Sequence, residues 1–317
     1  MSPITRSAAC SARRGFTLIE IMVSLTLLGI VAGALLTTVI SQQRFYLSAA
    51  EIIEMRDNLR QAGDLLPMEL RGVAPAVPGE ITAMLDTALE FRAPTGASVV
   101  CTVSLARTTI TIPPLALAVR SGLTTWMSPP VQGDSLFILD PNGALADVYR
   151  GHAITSNPSV GSCPQAPVGF TNSVAEANAG VQLSIFPPLS ATTPVGVPIR
   201  FVRRVRYSLY RSAADMQWYL GYRDFVGTRA PQWSSIQPVS GPFLPYAAGG
   251  LGGLNFTYRD SLGTAITALI DANRVRRVEM MVRAQSRTAV RTSGLSKKIT
   301  GYYRDSVNVT IALRNRP

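Results

Sequence analysis

Histidine is almost missing from this chain: His152 is the only one in 317 residues. It follows Tyr149, Arg150 and Gly151 in a stretch that reads as a loop, and no nucleophile or acid lies at a spacing that would build a relay with it. The sequence therefore offers no catalytic residue and no enzyme class. Metal chemistry is equally poorly served. Asp134, Asp140, Asn142 and Asp147 lack the close alternation and terminal glutamate of a calcium loop, and Asp140-Pro141-Asn142-Gly143 is a turn sequence. No metal and no cofactor is expected.

Lysine is scarce too. Lys297 and Lys298 are the only two, so the formal net charge of +11 is carried almost wholly by arginine. Arginine suits phosphate contacts, and it clusters at Arg203, Arg204 and Arg206 and again at Arg274, Arg276 and Arg277, with Arg283 and Arg287 further on. No nucleic-acid-binding motif accompanies these clusters. A solvated strand face explains them more simply, and contact with nucleic acid is carried as an alternative.

Charge is absent from one long segment. Residues 16–40 form an apolar run whose only charged side chain is Glu20. Twenty-five residues of helix reach about 37 Å, enough for a hydrocarbon core of roughly 30 Å. The run is too long for a secretory signal peptide. Arg6, Arg13 and Arg14 precede it with no acidic residue, which places the N-terminus in the cytoplasm and the remainder outside. A carboxylate near the start of such a span costs roughly 2.5–3.5 kcal/mol, so Glu20 calls for a partner. Gly29 and Gly33 have the spacing of a small-residue helix contact.

Beyond the span the helix is predicted to continue. Ile52, Met55, Leu59, Ala62 and Leu66 recur at three- and four-residue steps, with Glu51, Glu54, Arg56, Asp57 and Arg60 on the other faces. Pro67 and Gly72 mark its kink or end. The rest, from residue 73, reads as β structure. Phe201, Val205, Tyr207 and Leu209 share a face over 201–211, and a second strand over 217–224 follows the turn Ser212-Ala213-Ala214-Asp215. Val278, Met280 and Val282 are predicted to pair with a strand containing Val307, Val309 and Ile311, across a long basic loop. Residues 90–200 read as loops and short strands added to a sheet.

Gly15-Phe16-Thr17-Leu18-Ile19-Glu20, behind a short basic leader, resembles the processing site of type IV prepilins and of the related pseudopilins of type II secretion. The resemblance implies cleavage between Gly15 and Phe16 by prepilin peptidase, N-methylation of Phe16, and subunit assembly in which Glu20 pairs with the Phe16 amine of a neighbour. It also implies an α+β, type IV pilin-like fold: a leader at 1–15, a membrane-spanning helix at 16–40, its amphipathic continuation at 41–72, and an antiparallel β-rich head at 73–317. Where major pilins usually carry a proline, this chain has Thr37. The stretch 56–63, with Glu69-Leu70-Arg71, is similar to W-type minor pilins, and Phe256-Thr257-Tyr258-Arg259-Asp260-Ser261-Leu262-Gly263 resembles both those proteins and pseudopilin J.

Cys10 falls in the leader, leaving Cys101 and Cys163 as the pair a disulfide would join in an oxidising compartment. The expectation is a W-type minor pilin that helps initiate or cap pilus assembly. It would lie first in inner-membrane lipid with its head in the periplasm, then at the pilus tip, with the assembly platform and other minor and major pilins as partners. Pseudopilin J is the nearest alternative. A tip adhesin or DNA-binding subunit is the alternative of a different class.

Overall fold

The computed structural model describes residues 17–73, 79–116, 124–140, 148–164, 169–227, 232–292 and 299–313. It has the α+β, pilin-like architecture expected from the sequence: one long N-terminal helix, α1 (Leu18–Leu70), followed by an antiparallel β-rich head. The strands are β1 (Ile81–Met84), β2 (Ala88–Val99), β3 (Thr102–Val103), β4 (Thr109–Ile112), β5 (Thr125–Trp126), β6 (Ser135–Asp140), β7 (Val148–Ile154) and β8 (Ser159–Gly161). A short helix, α2 (Val174–Asn178), precedes β9 (Gly180–Phe186), β10 (Pro198–Arg211), β11 (Trp218–Asp224), β12 (Gln237–Phe243), β13 (Leu254–Arg259), β14 (Arg277–Thr292) and β15 (Ile299–Ala312).

The second half of α1 is held because its apolar stripe has somewhere to go. Met55, Leu59, Ala62, Leu66 and Leu70 are buried against Phe256 and Tyr258 of β13, Met280, Val282 and Ala284 of β14, and Leu89, Phe91, Val205 and Tyr207 of β2 and β10. Polar side chains secure the rim. Glu51 accepts from the Thr288 amide at 2.8 Å and its hydroxyl at 2.6 Å, while Arg56 reaches Asp305 at 3.1 Å and the Tyr303 hydroxyl at 2.7 Å. Pro67 lies inside the helix without ending it, and the helix stops at Leu70. Gly72 then passes so close to β2 that an added Cβ would lie 2.7 Å from the Pro94 ring, so this exit from the helix requires glycine.

Among the described residues the strands form two sheets. The three-stranded sheet runs β13-β14-β15, and β14 pairs with β15 as expected, with Val278 opposite Ile311 and Val282 opposite Val307. The strands are longer than expected, however, and run through most of the stretch predicted as a basic loop. The helix accounts for this, because Glu54 pairs with Arg287 at 3.3 Å and Glu51 binds Thr288 where the register shifts between Gln285 and Ala289.

In the twelve-stranded sheet, β10 lies between β2 and β6 and also pairs with β11. Alternation put Phe201, Val205 and Tyr207 on one face, yet Val205 and Tyr207 enter the core under α1 while Phe201 enters a second core. That second core, with Ile110, Ile112, Leu136, Ile138, Leu183 and Ile185, is built largely from residues 90–200. Here the added loops and short strands of the expectation include the twelve-residue β2 and make a packed lobe.

Cys101 and Cys163 are joined in a disulfide with Cα atoms 5.2 Å apart, closing 62 residues of separation around that lobe. On the chain-entropy account such a loop is stabilised by about 4 kcal/mol. The double variant Cys101→Ser/Cys163→Ser should lose roughly 2–4 kcal/mol in urea unfolding. An unchanged midpoint would show that the second core holds without the bridge.

Candidate functional site

The site begins at the first described residue. Thr17 is the N-cap of α1: its hydroxyl accepts from the Glu20 amide at 3.3 Å, and the Thr17 amide donates back to Glu20 Oε2 at 3.0 Å. This reciprocal capping box satisfies two of the amides that a helix start leaves without partners. The Thr17 hydroxyl also reaches Glu20 Oε2, at 3.1 Å. The isolated subunit therefore already gives the carboxylate of Glu20 a local partner. The sequence reading sought that partner only on a neighbour, although Thr-x-x-Glu ahead of an apolar run is the pattern of such a cap. Gly15 and Phe16 lie outside the described residues.

From residue 18 to 47 every side chain of α1 is exposed, a projection of about 45 Å at 1.5 Å per residue. Its most apolar window has a mean hydropathy of 2.3 with nothing in it buried. Leu18, Ile19, Met22, Leu25, Leu28 and Ile30 would be costly to leave in water, each worth about 1.5–3 kcal/mol when buried. The length and composition fit a single-pass inner-membrane anchor, and the exposure fits a helix awaiting neighbours. Gly29 and Gly33 meet nothing within 4 Å and leave a notch on this surface. At Thr37 the helix stays unbroken, and the hydroxyl donates to the Ala34 carbonyl at 2.8 Å.

The head uses its other candidate residues internally. His152 is not in a loop; it lies in β7, only 4% exposed, because alternation along the strand turns it inward. Its Nδ1 is 2.7 Å from the Pro187 carbonyl, which can only accept, so Nδ1 carries the proton. Burial pushes the imidazole pKa below the ordinary histidine value and Arg150 adds to this, against the Pro187 carbonyl and Asp140. The unfolded imidazole takes up a proton near pH 6.5 while the folded one resists, so stability should fall as pH drops from about 7 through that value. With no second histidine to share the slope, His152→Gln should flatten the change in urea midpoint between about pH 7 and 5.5. The same slope in the variant would remove His152 as its source.

The aspartates considered for calcium serve as arginine partners. Asp134 is buried and bound by Arg203 at 2.7 and 2.9 Å, and Asp140 accepts from Arg150, Thr192 and Thr193. Asn142 and Asp147 lie outside the described residues. The arginine clusters are likewise engaged. Arg204 and Arg206 both bind Glu90, and Arg204 also stacks over Phe225 and Trp233 at 5.4 and 5.0 Å. Arg274 meets Asp260 and Asp271, and Arg283 donates to the carbonyls of Gly250 and Gly252. Lys297 and Lys298 lie outside the described residues. The pairings of Arg203 with Asp134 and of Arg204 and Arg206 with Glu90 join residues far apart in sequence, so no local pattern announces them.

Comparison with known proteins adds one match. The prokaryotic N-terminal methylation motif covers residues 10–36, taking in the Thr17–Glu20 cap and the first turns of the exposed helix. No curated protein and no solved structure matches the chain. The motif implies processing by prepilin peptidase and assembly with other pilins, and indicates a structural protein rather than an enzyme. Together with the apolar helix that it heads and the β-rich head behind it, the motif supports a type IV pilin-like protein, of the pilin or pseudopilin kind.

Proposed function

We propose that this chain is a minor pilin of the W type, incorporated through α1 to help initiate or cap a type IV pilus. Residues 1–15 are the leader, removed by prepilin peptidase between Gly15 and Phe16, and the new Phe16 amine is N-methylated. Residues 16–40 then hold the subunit in the inner membrane with its head in the periplasm, 41–72 dock on that head, and 73–317 form it. During assembly Glu20 exchanges its own cap for the Phe16 amine of a neighbouring subunit. The observation carrying the proposal is the methylation motif at the start of a half-helix with no packing partner among the described residues. The large two-core head favours a scarce subunit over a repeating shaft. The DNA-binding alternative draws no support from Arg203, Arg204 and Arg206, whose guanidinium groups are committed to Asp134 and Glu90.

The test is intact mass and N-terminal sequence of the native chain from envelope and sheared-surface fractions. A mature chain starting at methylated Phe16 and found among sheared fibres is the expected result. Processing with retention in the envelope would move the chain to pseudopilin J. Retention of Met1 in both fractions would sink the assignment.

A further inference from the structure

The outer face of β6 and β7, behind the second core, carries a cleft of about 630 Å³ whose lining has no role in the assembly helix. Phe137 of β6 forms its floor. The ring lies across Gly151 of β7, where an added Cβ would stand 3.1 Å from Phe137 Cε1, so the absence of a side chain keeps the floor low. Tyr149 and Phe186 rise from β7 and the end of β9, and they remain 42% and 66% exposed although aromatic. Ser135 adds a polar side chain to the lining.

Among the described residues, Arg92 is the arginine lining this cleft that has no carboxylate at ion-pair distance. Arg200 is bound to Glu80 at 2.7 and 2.8 Å and Arg150 to Asp140. Arg92 donates to the Gly79 carbonyl and its guanidinium carbon stands 5.9 Å from the Phe137 ring centroid, yet it has no carboxylate within ion-pair distance among the described residues. Its Nε is buried with no acceptor. Glu80, held by Arg200, acts on Arg92 only at longer range, so the two guanidinium groups share one carboxylate and a ligand anion would gain from the charge left over, because charge-assisted hydrogen bonds are stronger where water is partly excluded.

We propose that this cleft binds an acidic sugar, with the carboxylate on Arg92 and the apolar face of the sugar ring against Tyr149 and Phe186. The volume falls within the roughly 300–1,000 Å³ of small-ligand sites. The one positive charge left over among Arg92, Arg200 and Glu80 in the described residues selects one negative charge. Exposed rings favour a ligand with a flat apolar face, while Ser135 and the Tyr149 hydroxyl supply partners for ring hydroxyls. The proposal concerns the head alone and does not depend on which filament the helix joins.

The experiment is titration of the full-length chain in detergent with glucuronate, with glucose and benzoate as controls, read by saturation-transfer NMR. Glucuronate should bind in preference to both controls, and Arg92→Gln should weaken it about tenfold or more. Tyr149→Ala, at a half-exposed position, should weaken it about fivefold with the fold intact by circular dichroism, which keeps the test valid if Arg92→Gln misfolds. No glucuronate binding, equal binding of glucose, or affinity unchanged in either folded variant would overturn the proposal. Benzoate binding in its place would overturn the sugar class.

Discussion

Gly15→Val should leave the chain as an unprocessed precursor in the inner membrane. The proposed cleavage point precedes the apolar run, where the peptidase would have to reach the backbone close to the membrane face, and a β-branched side chain there would obstruct the approach that glycine leaves open. Cleavage should slow by on the order of a hundredfold, or about 2.7 kcal/mol in the barrier. An immunoblot separating precursor from mature chain reads the result directly. Normal processing of the variant would refute Gly15 as the cleavage residue. The variant should still insert, because the apolar run and the arginines before it are untouched.

Glu20→Ala should have the opposite signature, with normal cleavage and failed incorporation. On the proposed pairing, the Phe16 amine of a neighbour would lose its carboxylate in a low-dielectric setting, where leaving one charge of a pair unmatched costs roughly 3–5 kcal/mol. That is enough to reduce the chain in sheared fibres by about a hundredfold or more. The Thr17–Glu20 cap adds a complication, since alanine also removes the side chain that accepts from the Thr17 amide. Glu20→Gln resolves it. Glutamine keeps an acceptor for that amide but carries no charge, so if pairing with the amine is what matters, Glu20→Gln should fail as Glu20→Ala does. Recovery of wild-type incorporation with glutamine would assign Glu20 to helix capping instead.

The two cores divide the labour of the chain. The core under α1 fixes the lower half of the helix to the head, so that any force on the exposed half passes through Leu59, Ala62, Leu66 and the sheet behind them. The second core sits beyond, closed by its disulfide, and carries the cleft on its outer face.

What the sequence determined by itself is whatever depends on neighbours along the chain. The methylation motif, the apolar run, the stripe from Met55 to Leu66 and the alternation in β10, β11, β14 and β15 are all set by spacings of two to four residues, because helix and strand periods are local. The Thr17–Glu20 cap was legible in the same way. Tertiary structure decided everything that depends on register across the sheets. It turned His152 from an expected loop into a buried strand position, sent Phe201 and Val205 into different cores, and committed Arg203 to Asp134 from 69 residues away. It also left Arg92 facing a cleft with no carboxylate at ion-pair distance among the described residues. Charge can be read from composition, but which charge goes unpaired is settled only when β2, β6, β7 and β10 lie side by side, since an ion pair requires a few ångströms in space and has no fixed distance in sequence.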